Sequence, residues 1–249
     1  MRFLLALLLS TSLLQASTLL VAAAANLSYV MESLIKEFKK THPNTQIDLL
    51  IGGSGKLATQ IQRGAPFDIF LSANVAYTQK LYKNNKALKQ PSVYAQGSLA
   101  LLSTKKQNFT QGMNQLLCSP NIHRIAVANP KTAPYGKATI EALNNANIFN
   151  KIQPKIVYGE SIAQTIAYTL KATDIGFVAT SSLYAPKMQN FIKGDNWIEI
   201  DTKLYTPISQ AALLLKHAKG DKEAEEFYNF IFSDTAKKIF IQYGYKVEF

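Results

Sequence analysis

The 249-residue sequence holds a single cysteine, Cys118, so no internal disulfide can form. It has three histidines, His42, His123 and His217, and no Cys/His spacing of the kind that holds zinc. Cys118 and His123 lie close together. With no third group to orient them, the thiol is expected in the core rather than in a catalytic pair. Acidic residues are few, 16 against 27 lysines and arginines, for a net charge of +11. That excess permits nucleic acid or an acidic membrane as partner. The lysines, however, are spread along helix-like stretches such as Lys36/Lys39/Lys40 and Lys80/Lys83/Lys86, with no helix-turn-helix or RNA-binding signature. They read as a solvated basic surface, with no nucleic acid as partner. Internal repeats and low-complexity tracts are missing, and 47% hydrophobic with 17% charged residues is ordinary globular composition. The length suits one large domain or two modest ones.

No apolar run at the N-terminus is long enough to span a bilayer. Met1-Arg2 leads into Phe3 to Leu9 and then a polar patch ending at Gln15-Ala16-Ser17, which describes a secretory signal peptide over residues 1–17, cut near Ala16. No cysteine follows the cut, so a lipoprotein anchor is not expected and the mature chain should be exported.

The stretch Ile51-Gly52-Gly53-Ser54-Gly55-Lys56-Leu57 follows an alternating, strand-like run from Ile47 and precedes helical spacing from Leu57 to Ile61. It is no Walker A loop, which needs glycine at position 50 and Ser or Thr at 57, where this chain has Leu50 and Leu57. Its glycines let the backbone turn tightly and approach a ligand. Ser54 is expected to cap the helix, whose N-terminus attracts anions. A Gly-Ser turn before a helix is by itself an ordinary connection, and it gains meaning when other loops of the same kind converge on it.

The rest of the chain supplies such loops. Leu19 to Ala24 reads as a buried strand, with Asn26 at its carboxyl end and a helical face of Leu27, Val30, Met31, Leu34, Ile35 and Phe38. Asn26 is placed to cap that helix or to offer its amide to a ligand. A third strand, Phe67 to Leu71, carries Asp68, either a structural carboxylate or a ligand contact. Strand–helix alternation predicts a parallel α/β sheet, whose ligands sit beyond the carboxyl ends of the strands. The extended run from Val93 to Ser103 reads as a crossing into a second domain that repeats the rhythm. There the loops Asn129-Pro130 to Gly136 and Gly159-Glu160-Ser161-Ile162 open helices, with Pro134 suited to a first helical turn. Ile208 to Leu215 mirrors the first crossing. The reading is two α/β lobes, 18–97 plus 208–249 and 98–207, hinged about a cleft. Four loops at strand ends offer neutral donors, a site that fits a deprotonated oxyanion. Glu160 would upset this if its side chain turned inward. A secreted hydrolase with Ser54 as nucleophile is the alternative, and needs a histidine beside it.

In combination, Val21 to Leu27, Gly53 to Ile61, Gly64 to Ala73, Asn129-Pro130 with Ala133-Pro134-Tyr135-Gly136, Asp174 to Val178 and Tyr243-Gly244-Tyr245 resemble the molybdate-binding (ModA) family of ABC-importer substrate-binding proteins, over essentially the whole mature chain. The resemblance implies a two-lobed, type II-like periplasmic-binding-protein fold, with a ligand cleft between lobes joined by two crossover strands. It implies a periplasmic, non-enzymatic and monomeric receptor that binds molybdate or tungstate without a cofactor and delivers it to an inner-membrane ABC permease. Sulfate or another oxyanion is the neighbouring possibility. Carried over, the oxyanion site falls on Asn26, Ser54, Tyr135 and Ile162, with Ala25 adjacent. Ser54 gives hydroxyl and amide, Tyr135 and Ile162 backbone N–H groups. Many members have serine in place of Asn26 and a ligand-binding tyrosine in place of Ala179.

Overall fold

The computed structural model describes residues 18–247, and the expected signal peptide, 1–17, lies outside the described residues. Ten strands and ten α-helices follow one another along the chain. The first run is β1 (Thr18–Ala24), α1 (Val30–Phe38), β2 (Gln46–Gly52), α2 (Ser54–Gln62), β3 (Ile69–Ser72), α3 (Val75–Lys83) and β4 (Ser92–Gly97). The second is β5 (Leu99–Leu102), α4 (Gly112–Cys118), β6 (Ile125–Ala128), α5 (Pro134–Asn145), α6 (Phe149–Ile152), β7 (Ile156–Gly159), α7 (Ile162–Lys171), β8 (Ile175–Ala179), α8 (Thr180–Leu183) and β9 (Trp197–Glu199). The chain closes with β10 (Ile208–Leu214), α9 (Lys222–Phe230) and α10 (Asp234–Gln242).

The strands form two five-stranded mixed sheets, ordered β2-β1-β3-β10-β4 and β7-β6-β8-β5-β9. In the first, β1 runs parallel to β2 and β3 while β10 is antiparallel to β3 and β4. In the second, β6 runs parallel to β7 and β8 while β5 is antiparallel to β8 and β9. Burial follows position in the sheet. Interior strands β3, β5, β6 and β8 are buried throughout and read as unbroken apolar runs, whereas edge strand β2 alternates.

The chain passes between the sheets twice, and neither passage is a continuous strand. Only Ser98 separates β4 from β5. The return runs through residues 200–207, which include a 3-10 turn at Thr202–Leu204, so β10 lies wholly inside the first sheet rather than serving as the crossing. Apolar packing is continuous across the two sheets: Ala24, Ala25 and Ala73 of the first share a cluster with Tyr135, Ile162 and Ala179 of the second.

Two sequence expectations change here. Cys118 is exposed, not buried: α4 turns Leu116 and Leu117 inward, and its last residue, Cys118, faces solvent. Asp68 precedes β3 at the end of the sheet remote from the β1 carboxyl terminus. There its carboxylate accepts the Leu20 amide at 2.7 Å and meets His217 Nδ1 at 2.6 Å, a structural role. Among the described residues it is the one charged side chain that is buried.

Asp68→Ala leaves the Leu20 amide without its acceptor, a loss of about 1–3 kcal/mol. Thermal unfolding should show Tm lowered by roughly 2–10 °C; an unchanged Tm would mean that this clamp contributes nothing.

Candidate functional site

Five residues singled out in the sequence lie together and out of solvent: Ser54 and Tyr135 are 1% exposed, Asn26 2%, Ile162 3% and Ala25 5%. Each sits in or beside a first helical turn, where N–H groups have no intrahelical acceptor. Pro134 opens α5 as expected, with Tyr135 next. Ile162 opens α7 behind Ser161, whose hydroxyl caps the helix by accepting the Gln164 amide at 3.3 Å.

Ser54 does not cap α2. Gly53 occupies the capping position in an extended conformation, and Ser54 is the first helical residue. Its hydroxyl oxygen instead accepts the Ala73 amide at 3.0 Å. With that acceptor engaged, the hydroxyl proton and the Ser54 N–H remain as donors. Asn26 does not cap α1 either. It lies inside a 3-10 turn, Ala25–Leu27, against which α7 and α8 of the second sheet both pack.

Asn26 Nδ2 donates to Gln210 Oε1 at 3.0 Å and to the Tyr245 hydroxyl at 2.7 Å. The Tyr245 hydroxyl in turn donates to the Asn26 carbonyl at 3.1 Å, and Ser181 Oγ reaches the same carbonyl from the second sheet. Gln210 was not singled out in the sequence, and Tyr245 only within the stretch Tyr243-Gly244-Tyr245, not as a site residue. Gln210 left a faint signal, as one of two polar residues in the otherwise apolar β10.

Backbone closes the arrangement from outside. The Gly55 amide donates to the Thr132 carbonyl at 2.9 Å, joining α2 to the loop before α5. A side chain at Gly53 would lie 3.3 Å from the Glu160 carbonyl. Glu160 itself turns outward: its carboxylate is 77% exposed and 3.6 Å from Lys56 Nζ. Outside this rim is a surface cavity of about 310 Å³ lined by Gly53, Lys56, Gln60, Glu160 and Gln164.

The chemistry available is uncharged: first-turn N–H groups and the Ser54 hydroxyl as donors, with Asn26 Oδ1 a buried acceptor that has no partner among the described residues. Neutral phenols surround Asn26 and Tyr135. Burial pushes the Tyr245 hydroxyl up to about 12, and burial first, then the neighbouring Tyr245, Tyr94 and Tyr205, raises Tyr135 well above the ordinary phenol range against a lowering hydrogen bond from Gln210. The three histidines lie elsewhere: His42 against Phe38 and Glu226, His217 on Asp68, and His123 exposed, its backbone amide held by Asp174. Ser54 therefore has no histidine beside it, and the hydrolase reading falls.

Comparison with known proteins agrees with this geometry. The family model described as bacterial extracellular solute-binding protein matches residues 19–246. The molybdate-binding protein ModA of Rhodobacter capsulatus is 32% identical over 237 residues, covering 94% of this chain and 90% of its own. A putative ABC transporter substrate-binding lipoprotein of Bacillus subtilis (strain 168), YvgL, is 30% identical over 232 residues, 93% of this chain and 87% of its own. Among solved structures, the periplasmic molybdate-binding protein of Azotobacter vinelandii superposes with a TM-score of 0.85 at 30% identity, covering 93% of this chain and all of that one.

The start of α5 depends on Gly136, where a Cβ would collide with the Ala128 carbonyl and lie 3.0 Å from the Asn129 carbonyl carbon. Gly136→Ala should cost about 1–3 kcal/mol through overpacking. Calorimetry of the variant should find a lowered Tm; a wild-type Tm would show that the turn absorbs the methyl group.

Proposed function

The chain belongs to the bacterial extracellular solute-binding proteins, a family of receptors and not of enzymes, and we propose that it binds a tetrahedral oxyanion, molybdate or tungstate, for an ABC importer. The observation behind this reading is that the first turns of α2, α5 and α7, from both sheets, and the 3-10 turn at Asn26 are all buried, with no cationic side chain of the described residues buried among them. Ser54 would give hydroxyl and amide, Tyr135 and Ile162 their amides, with Asn26 and Ala25 at the 3-10 turn. Hydrogen bonds to a charged group contribute about 1.5–3 kcal/mol each, so a handful hold a buried dianion without arginine. Relatives that bind molybdate by name support this choice of anion over sulfate.

In this reading the lobes 18–97 plus 208–249 and 98–207 close on the anion by a hinge motion. The driving energy is the contact made only in the closed state. The anion enters as ligand, with no cofactor. The protein acts as a monomer, exported to the periplasm by residues 1–17, and passes its cargo to a permease in the inner membrane. The resemblance implies a ligand-binding tyrosine where this chain has Ala179, so one hydroxyl donor is lost there, and a carboxamide stands at Asn26 where many members have serine; selectivity rests on amides and Ser54.

Thermal shift of the mature protein tests the ligand. Molybdate or tungstate at a hundredfold its Kd should add about 2.7 kcal/mol, a rise of roughly 5–10 °C, with sulfate giving none at the same concentration. No rise with either metal oxyanion would reject the proposal. Ser54→Ala should weaken molybdate binding about 10–150-fold, the loss of one bond to a charged group, and should lower the unliganded Tm by roughly 2–10 °C because the buried Ala73 amide loses its acceptor. Unchanged affinity would remove Ser54 from the site.

A further inference from the structure

Tyr135 has two working ends. Its amide belongs to the first turn of α5, among the donors assigned above to the oxyanion. Its phenol runs the other way, out of the second sheet's layer and into the first. There it abuts Gly97, the last residue of β4, at the single-residue passage between the sheets. A Cβ at position 97 would collide with the phenol oxygen and lie 3.2 Å from both Tyr135 Cζ and Gln210 Nε2. The phenol oxygen is buried beside the Gln210 carboxamide, whose hydrogen bond opposes the rise in the phenol's pKa caused by burial. The close fit against Gly97 adds a steric constraint on the ring. Gln210 extends the contact to the other side of the site through its bond to Asn26 Nδ2, while its own Nε2 is held by the Ile208 carbonyl at 2.9 Å.

We propose that Tyr135 is a positioning residue that couples lobe closure to the oxyanion, its phenol seating in the notch left by Gly97 when α5 is drawn against the first sheet. Seating the ring brings the Tyr135 amide to the ligand, and binding the ligand holds the ring in its notch. Glycine at 97 is needed for this because any side chain there occupies the seat. The inference rests on the oxyanion reading of the site and adds to it a mechanical link between hinge and ligand.

A double-mutant cycle tests the link, with molybdate affinity from calorimetry and ligand-induced contraction from small-angle scattering. Gly97→Ala should weaken binding about tenfold or more, as overpacking of a tight contact does, and should diminish the contraction. In a Tyr135→Phe background, which keeps the ring and the amide but removes the colliding oxygen, Gly97→Ala should cost no more than about threefold, the two changes being strongly coupled. Equal losses in both backgrounds, or no loss at all, would overturn the proposal. Failure of Gly97→Ala to fold, with recovery in the double variant, would place the clash at the phenol and support it; failure of both to fold would overturn it. Should the wild-type protein bind neither molybdate nor tungstate, the oxyanion reading fails by itself. The cycle is then scored on Tm, where additivity between positions 97 and 135 would overturn the notch.

Discussion

An α-helix cannot satisfy the N–H groups of its own first turn, and the fold turns that defect to use. α2, α5 and α7 begin at the carboxyl ends of parallel strands in two different sheets, and their first turns are buried near one another instead of being left to water. Burying such donors without acceptors is unfavourable. Apolar packing around them, a cluster with Ala24, Ala25, Ala73, Tyr135, Ile162 and Ala179, offsets that cost. Among the described residues no charged side chain is buried there, and the one buried carboxylate, Asp68, lies at the far end of the first sheet, occupied with Leu20 and His217.

Close backbone approach carries part of the contact between the two sheets, beside the apolar cluster and the Tyr135 ring. Gly55 N–H to the Thr132 carbonyl, the close approach of Gly53 to the Glu160 carbonyl and Ser181 to the Asn26 carbonyl depend on small residues or on none. The exposed Lys56–Glu160 pair at the rim adds little in comparison, because solvent screens it. An interface held by close backbone approach and shape is specific in geometry and modest in energy.

Much of this was legible in the sequence. Strand–helix alternation and the apolar periodicity of α1 followed from spacing, and Pro134 marked the start of α5. Local capping chemistry was harder to read. Gly53 took the capping position from Ser54 because the hydroxyl of Ser54 is claimed by the Ala73 amide, a contact 19 residues away that no local pattern encodes. Asn26 sits in a 3-10 turn because its carboxamide is held by Gln210 and Tyr245, from the far end of the chain. Cys118 misled for a simpler reason: in a seven-residue helix with two adjacent leucines turned inward, the next position faces solvent whatever its polarity. The errors thus fall where partners distant in sequence, or the rotation of a short helix, decide the outcome.

The raised phenols have a consequence for acid–base behaviour. Asn26, Gln210 and Ser54 do not ionise in water, and burial holds Tyr245 and Tyr135 protonated well beyond neutrality. The interior around Asn26 and Tyr135 thus keeps one protonation state over the whole range from acid to mildly alkaline. Its behaviour towards outside acidity is set by composition: such changes reach the lysine-rich surface and leave the buried donors as they were.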